Sequence, residues 1–428
     1  MSSEPYIPDH GDDSYDVLHY RLGLSYKLIG NRLAGDAVLT CRARTDTASV
    51  TLDLAGLRVE KVLFDARPTR FRHRGSRLEV TAQLVADQEF ELRVKYDGTP
   101  GTLKAPDLDD AGWEELTDGV IVAAQPHGAP TWFPCNDRPS NKATYVVTLA
   151  APNDYYVAMC GRLSGRDQRG SVTEWTWEMA EPMASYLATV QIGRYEAREL
   201  GNGVVVVVPP DLSGAGYDAS FGQQPAMMEF FESKFGDYPF EDYTAVVTDD
   251  PLEIPLESQS LSTFGRNFAS SDWDAVRLVA HELAHQWFGN AVTLREWKDI
   301  WLHEGFACYA EWLWSEESGR DTAAECADHH HEKLAGLDQD LLLADPGPAL
   351  MFDDRVYKRG ALTLHALRTV VGDHDFFDIL EQWVERYGGS NATTADFEAL
   401  ATEISGESLD DLFGAWLRST ELPSLPEA

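Results

Sequence analysis

Two histidines spaced four residues apart, His281 and His285, constrain this chain more than any other feature of its sequence. They lie in the stretch Val279 to Glu304, which reads VAHELAHQWFGNAVTLREWKDIWLHE. On an α-helix, residues four apart share one face, one turn from each other, so both imidazoles can converge on one metal ion. Glu282 lies about 100° further round, where a carboxylate can reach the open side of the ion without binding it. The spacing therefore predicts a metal-binding helix that also carries a general base.

A third metal ligand is predicted further along the chain. Glu304 follows His285 after 18 intervening residues and stands in a second helical run, WLHEGFACYAEWLW. Two neutral imidazoles and one carboxylate leave a zinc ion with a net charge of about +1 and an open position for an activated water. The alternative is a pair of histidines packed in the core beside a surface glutamate. In that case the base, the pair of ligands and the third ligand would have to occur together by chance.

Composition limits the class of protein and its partners. The chain has 428 residues, 43% of them hydrophobic, which is enough for two or three packed domains. Its net charge of −36 argues against nucleic acid or an anionic membrane as a partner, because binding phosphate needs clustered lysine and arginine. A cationic substrate is compatible with this charge.

The sequence also predicts a cytoplasmic location. The longest aliphatic run, Val204 to Val208, is far shorter than the roughly 18 residues that cross a bilayer, and no secretory signal opens the chain. The cysteines are odd in number and never in C-x-x-C, which favours reduced thiols; they are Cys41, Cys135, Cys160, Cys308 and Cys326.

The hydrophobic pattern divides the chain near residue 195. From Asp16 to about Arg194, apolar residues alternate with polar ones, which predicts an antiparallel, sandwich-like β domain over residues 1–195. Residues 196–428 mix strand and helix patterns, so the second domain is predicted to be α+β.

Several elements of the second domain are predicted individually. We expect buried strands at 204–208 and 243–247, a helix at 224–235, an exposed edge strand at 255–264 and helices at 356–371, 375–386, 393–404 and 408–417. Ser270 or Ser271 is expected to cap the histidine helix and Gly289 to end it. Capping-box patterns begin at Thr393 and Ser408.

With these residues identified, the chain resembles the aminopeptidase N family of gluzincin metallopeptidases from about residue 14 to its end. The motifs that carry the resemblance are HELAHQWFGN, WLHEGFA, TWFPCNDRPSNKATY, PLESQ and VYKRGAL. The resemblance implies an N-terminal β domain followed by a thermolysin-like catalytic domain. Most members continue into a helical domain that covers the active site, so it also implies a short form with a cleft that is more open or closed by a second subunit.

The resemblance assigns a role to each motif residue. It implies that His281, His285 and Glu304 bind one zinc ion per chain and that Glu282 is the general base. Tyr357 is implied to donate a hydrogen bond to the oxyanion of the tetrahedral intermediate. From the sequence alone, Tyr357 is equally a packed helix aromatic.

Two further residues are implied to bind the substrate's amino group. The family's Gly-Ala-Met-Glu-Asn edge strand corresponds here to Ile254-Pro255-Leu256-Glu257-Ser258, which keeps only the acid, Glu257. Gln125 matches a position that is Glu in many members and Gln in some. A carboxylate at a fixed distance from the scissile carbonyl would make the enzyme an exopeptidase.

Other polar residues near the motif have weaker assignments. Asp299, or an acid between Glu311 and Glu317, is a candidate to hold a ligand histidine through its second ring nitrogen. The run His329 to His331 resembles a metal tract, but a solvated helix face is favoured for it.

The sequence thus predicts a zinc aminopeptidase that hydrolyses the N-terminal peptide bond of peptides with a free amine. Its oligomeric state is not predicted. One alternative is a zinc hydrolase of another bond, such as an epoxide. The other is a non-catalytic interaction module on a peptidase fold, although such modules usually lose ligands or base and this chain keeps them all.

Overall fold

The chain forms two compact units that alternate along the sequence. The computed structural model describes residues 4–105 and 107–427. The first unit contains Met1–Glu199, Val205–Leu212 and Phe240–Arg266, and the second contains Leu200–Val204, Ser213–Pro239 and Asn267–Ala428. The division into domains 1–195 and 196–428 stays a prediction.

Most strands belong to the first unit, and most helices to the second. The strands are β1 (Tyr15–Lys27), β2 (Arg32–Ala43), β3 (Thr47–Asp53), β4 (Leu57–Phe64), β5 (Arg67–Pro68), β6 (Phe71–Arg74), β7 (Arg77–Leu84), β8 (Glu89–Gly98), β9 (Thr102–Ala105), β10 (Leu108–Leu116), β11 (Gly119–Ala123), β12 (Lys142–Pro152), β13 (Tyr156–Met159), β14 (Arg162–Arg169), β15 (Val172–Ala184), β16 (Val190–Gly193), β17 (Glu196–Gly201), β18 (Val204–Val208), β19 (Tyr243–Thr248), β20 (Leu256–Ser258), β21 (Leu261–Gly265), β22 (Val292–Leu294) and β23 (Ser390–Ala392). The helices are α1 (Ala215–Ala219), α2 (Gln224–Phe235), α3 (Trp273–Ala284), α4 (Trp301–Glu317), α5 (Ala323–Ala335), α6 (Asp354–Tyr387), α7 (Thr394–Ser405) and α8 (Asp410–Arg418). Among the described residues, no helix combines the length and the apolar character needed to cross a bilayer.

The predicted N-terminal β domain is confirmed, and its largest sheet has eight strands in the order β14-β15-β12-β1-β2-β8-β4-β5. Alternate residues of β1, including Tyr20, Leu22 and Leu24, are buried, because a strand directs successive side chains to opposite faces. The sheet is not purely antiparallel as predicted, since β1 and β12 pair in parallel. A parallel pair needs a long crossover, and here ten strands separate the two partners in the chain.

A five-stranded sheet in the order β17-β18-β19-β21-β20 confirms the strands predicted near 204–208 and 243–247. Its core includes Val207, Val246 and Leu261. The single edge strand predicted over 255–264 is wrong, because β20 and β21 form a hairpin that turns at Ser260, which has a φ of 58°. Glu257 lies on β20, which is the edge strand of this sheet, but its side chain is buried rather than exposed.

The second unit is built on aromatic helix contacts. Phe397 of α7 packs edge-on against Trp301 and Phe306 of α4 and Trp383 of α6, with ring centroids 5.1–5.9 Å apart. Helix α2 has the predicted bounds, and α6 bends at Gly372, where the predicted helices 356–371 and 375–386 meet.

The helix ends show which capping predictions were correct. The capping box at Thr393 is confirmed. The one at Ser408 is wrong, because α8 begins after Leu409. Helix α3 begins after Asp272 rather than Ser270 or Ser271, and it ends at Ala284, before the predicted stop at Gly289. Ser270 instead accepts a hydrogen bond from the backbone N–H of Asp272, so it fixes the turn that precedes the helix.

Candidate metal centre

Helices α3 and α4 bring three predicted ligands together within the second unit. His281 lies in the last turn of α3, and His285 follows at its end, where the backbone bond from His285 N to His281 O keeps the helical spacing. Glu304 lies in the first turn of α4, and one of its oxygens is 3.5 Å from His281 Nε2 and 3.4 Å from His285 Nε2. All three side chains are buried.

These distances fit a metal ion. Tetrahedral zinc ligands at about 2.0–2.1 Å from the ion lie about 3.3 Å from one another. The observed separations of 3.5 and 3.4 Å are close to that value. Two imidazoles and a carboxylate are also the donor set of many catalytic zinc sites.

The second nitrogen of each imidazole is held by an acceptor. Nδ1 of His281 lies 2.7 Å from Glu311 Oε1, and Nδ1 of His285 lies 3.0 Å from the carbonyl oxygen of Phe288. Because both partners accept hydrogen bonds, each Nδ1 carries the proton and each Nε2 presents a lone pair to the ion.

The charges of the buried acids favour a cation, either a proton or a metal ion, between His281, His285 and Glu304. Burial would lower the pKa of His281, but hydrogen bonds to Glu304 and Glu311 raise it above its usual value. Burial would raise the pKa of Glu304, but the two histidines lower it. Glu304 is therefore ionised, as a metal ligand must be.

Glu311 was predicted only as one acid among several. It lies seven residues after Glu304, which places both acids on the same face of α4, two turns apart. This two-turn spacing is the sequence signal that could have singled it out. Burial raises its pKa, but Lys358, His281 and Arg277 together bring it down to about 2. Asp299 instead accepts hydrogen bonds from Thr394.

Helix α6 approaches the centre because two glycines allow close packing. A Cβ at Gly305 would lie 2.7 Å from the Cα of Gly360, and a Cβ at Gly360 would lie 2.6 Å from the Cα of Gly305. Tyr357, one turn before Gly360, is thereby placed with its ring centroid 6.0 Å from that of His281, and the two rings are nearly parallel at 21°.

The first unit holds the two residues predicted to bind an amine. Nε2 of Gln125 donates a hydrogen bond to Glu257 Oε1 at 2.5 Å, so an amide and a carboxylate lie side by side. Much of the loop that follows Gln125 stabilises the fold of the first unit through hydrogen bonds to the backbone. Asn136, for example, donates to the backbone oxygens of Asp12 and Tyr15.

The remaining candidates have packing roles. The ring of His330 stacks on that of Trp312 with centroids 5.2 Å apart, and His331 bonds to the carbonyl oxygen of Pro423. Cys135 and Cys308 are fully buried, and all five cysteines, each in the described part of the chain, are free thiols.

A helix with two histidines and an adjacent glutamate, joined by a glutamate from a second helix, defines the class of H-E-x-x-H metallopeptidases. Comparison with known proteins narrows this class. The model for the peptidase family M1 domain matches residues 219–416, and the model for the peptidase M1 N-terminal domain matches residues 16–187. The chain belongs to peptidase family M1.

Solved structures support the same assignment. An M1 zinc metallopeptidase mutant from Deinococcus radiodurans, bound to a Tyr-Ser-Ala substrate, is 31% identical with a TM-score of 0.90, and the match covers 99% of this chain and 98% of that one. Native yeast LTA4 hydrolase is 21% identical with a TM-score of 0.80 over 97% of this chain and 69% of that one, which shows a shared fold. The metal of this family is zinc.

Curated relatives are longer than this chain. Probable aminopeptidase 2 of Sulfurisphaera tokodaii is 27% identical over 409 residues, which are 87% of this chain and 50% of that protein. The chain spans about half the length of this relative.

Proposed function

We propose that this protein is a zinc aminopeptidase that removes N-terminal residues from peptides with a free amine. The observation that carries the proposal is the convergence of His281, His285 and Glu304, with Glu282 following the first ligand in the sequence. It is supported by the similarity to the Deinococcus radiodurans protein bound to a Tyr-Ser-Ala substrate and to probable aminopeptidase 2 of Sulfurisphaera tokodaii.

The three ligands would hold zinc, which supplies Lewis acidity toward water and the scissile carbonyl. Glu282 takes a proton from the attacking water and passes it to the leaving amine. The hydroxyl of Tyr357 donates a hydrogen bond to the oxygen of the scissile carbonyl as negative charge develops there, a role worth a few kcal/mol.

Glu257 and Gln125 bind the substrate's α-ammonium in this proposal. The Glu257 carboxylate accepts a charge-assisted hydrogen bond, and the Gln125 amide oxygen offers a second, neutral acceptor. Fixing the ammonium fixes which peptide bond reaches the metal, so cleavage is restricted to the first bond.

Substitution of Glu282 tests the mechanism. Glu282→Gln keeps the shape of the side chain but removes its basicity, so we expect turnover of an aminoacyl reporter to fall at least about 10²-fold with zinc still bound. Elemental analysis measures the zinc. Glu317→Gln, an exposed change on α4, is the matched control and should be silent. Full activity of Glu282→Gln would contradict the assigned base.

A blocked substrate tests the exopeptidase assignment. We expect N-acetylated peptides to be cleaved far more slowly than the same peptides with a free amine. Equal rates would show that the amine is not recognised. Hydrolysis of an epoxide but not of aminoacyl reporters would favour the alternative hydrolase, for which the likeness to LTA4 hydrolase supports only a common fold.

We also propose a cytoplasmic location and no nucleic-acid or membrane partner. Five free thiols and a net charge of −36 support this part of the proposal.

A further inference from the structure

The stretch Arg67 to Arg77, which reads RPTRFRHRGSR, is strongly basic in a chain that is otherwise acidic. It contains five arginines, whereas the whole protein has 35 basic and 71 acidic side chains. Arg77 forms an ion pair with Asp53. In the described part of the chain, no ion pair holds the other four arginines, all of them exposed; they are Arg67, Arg70, Arg72 and Arg74. An exposed group of cations without ion pairs attracts an anion from outside the chain.

Three of these arginines line one face of an edge strand. The backbone N–H of Thr81 on β7 donates to the carbonyl oxygen of Arg70 at 2.9 Å, so pairing with β7 begins one residue before β6. Alternate residues of a strand share a face about 7 Å apart, which places Arg70, Arg72 and Arg74 in a row, here called the arginine ladder. Strand β7 contains one acid, Glu79, which lies opposite Arg72. The ladder therefore keeps a net positive charge.

The far side of β6 is open. In the described chain, β6 is the last strand of the sheet β3-β7-β6 and pairs with β7 alone. Residues that bond to the neighbouring strand alternate with residues that do not. Because Arg70 bonds to β7, Phe71 and His73 direct their backbone N–H and C=O groups to the open side. Phe71 is also 38% exposed, although Val80, its partner across the strands, is buried. The open side thus presents backbone donors and acceptors, an aromatic ring and a row of positive charges.

We propose that β6 binds an acidic peptide segment of another protein, which adds to the open edge as a further strand. Such a strand would pair with the backbone groups of Phe71 and His73. Every second side chain of the added strand faces the arginine ladder, and acids at these positions form ion pairs across the strands. The side chains between them lie on the face of Phe71, so the segment alternates acidic and apolar residues. The inference is independent of the proposed zinc centre.

Two features favour a peptide over a nucleic acid. A strand edge presents N–H and C=O groups in alternation, which another backbone matches, whereas phosphates only accept hydrogen bonds. The net charge of −36 also repels a long polyanion beyond the arginine ladder. Charged side chains protect many edge strands from pairing with other chains. Here the positive charge excludes basic strands and selects an acidic one.

Binding of a designed peptide tests the proposal. The probe is fluorescently labelled Glu-Val-Glu-Val-Glu-Val with an acetylated N-terminus and an amidated C-terminus, titrated at about 0.15 M salt, where exposed charges more than about 8 Å apart are screened. We expect it to bind at least about 10-fold more tightly than Glu-Glu-Glu-Val-Val-Val, since only alternation directs all its acids to the ladder. Hydrogen exchange locates the binding. Backbone amides of β6 should exchange more slowly with the peptide present, and those of β1 should not change.

Reversal of one charge tests the ladder itself. Arg72→Glu exchanges the central attraction for a repulsion, so affinity for the alternating peptide should fall at least about 10-fold. Arg72→Lys keeps the charge and should retain most of the affinity. Arg21→Glu is the matched control, because it makes the same change of charge at an exposed position on β1, which lies between β12 and β2 and has no open edge. It should change the affinity by less than about twofold.

The proposal is overturned if the alternating peptide does not bind, if Arg72→Glu binds it as well as the wild type does, or if Arg21→Glu has an equal effect. Equal binding of the two peptides, or unchanged exchange in β6, would exclude strand addition. Tighter binding of a thymidine tetranucleotide, which has the same charge as the peptide, would assign the surface to nucleic acid instead. Self-association of the wild type that is lost in Arg72→Glu would assign the edge to a second copy of the chain. None of these results bears on zinc binding or peptidase activity.

Discussion

At the scale of the residue, Glu257 offers the sharpest test of substrate recognition. A charged hydrogen bond contributes about 1.5–3 kcal/mol, so its loss should lower the rate about 10- to 100-fold. We therefore expect Glu257→Gln to lower kcat/KM on free-amine peptides by that factor while leaving the slow cleavage of N-acetylated peptides unchanged. Steady-state kinetics on matched pairs of peptides measures both.

Glu253→Gln is the control for this experiment, because Glu253 is an exposed acid that precedes the same strand. It should leave both rates unchanged. An equal fall on free and acetylated peptides after Glu257→Gln would assign Glu257 to general binding rather than to the amine.

The proposed ligands could be predicted because their chemistry requires a local pattern. His281, Glu282 and His285 lie close together at the end of α3, and Glu304 lies in the first turn of the next α-helix, α4. Their spacing in the sequence is therefore enough to predict the site. The spacing of seven residues from Glu304 is the one local signal for Glu311, because its partners His281 and Arg277 both lie on another helix, α3. Tyr357 had no local signal at all.

At the scale of the element, the crossing of α4 and α6 depends on glycine at both contact points. Gly360→Ala would place a methyl group 2.6 Å from the Cα of Gly305, which is closer than two carbon atoms can approach. Helices α4 and α6 must therefore move apart. We expect a loss of about 1–3 kcal/mol in the free energy of unfolding. Activity should fall further than stability explains, because the substitution also moves Tyr357. Urea unfolding and kinetics at a temperature where the variant is folded measure the two effects.

Gly414→Ala in α8 is the matched control, because nothing lies within 4 Å of the added methyl group. It should be neutral or stabilise by up to about 1 kcal/mol, as alanine favours a helix more than glycine. An equally benign Gly360→Ala would show that the two helices tolerate a wider separation.

Elements with a strong local pattern were predicted well, and those set by distant contacts were not. Helix α2 and the capping box at Thr393 depend on nearby residues, and both are confirmed. The hairpin of β20 and β21 depends on a left-handed Ser260, a conformation that serine adopts infrequently, so the turn was missed. The parallel pairing of β1 and β12 joins residues more than 120 positions apart, and no local pattern reports it.

At the scale of the whole molecule, the chain passes between its two units more than once. Residues 240–266 belong to the first unit although they follow α2 of the second. The sequence pattern predicts the order of strands and helices, but it does not predict which of the two hydrophobic cores each element packs into. The return of the chain to the first unit was therefore not predictable. One consequence is that the three proposed zinc ligands all lie in the second unit, whereas Glu257 and Gln125 lie in the first.

Removal of zinc should therefore act on one unit. A ligand that binds only the folded state stabilises it by about 4 kcal/mol when present at 1,000 times its dissociation constant. We expect a chelator to lower the protection of backbone amides in α3 and α4 against hydrogen exchange, while protection in β1, β2 and β8 is retained. His281→Ala, already deficient in zinc, should show no further change with the chelator. Equal loss of protection in both units would mean that they unfold as one cooperative body, and zinc would then control the stability of the entire chain.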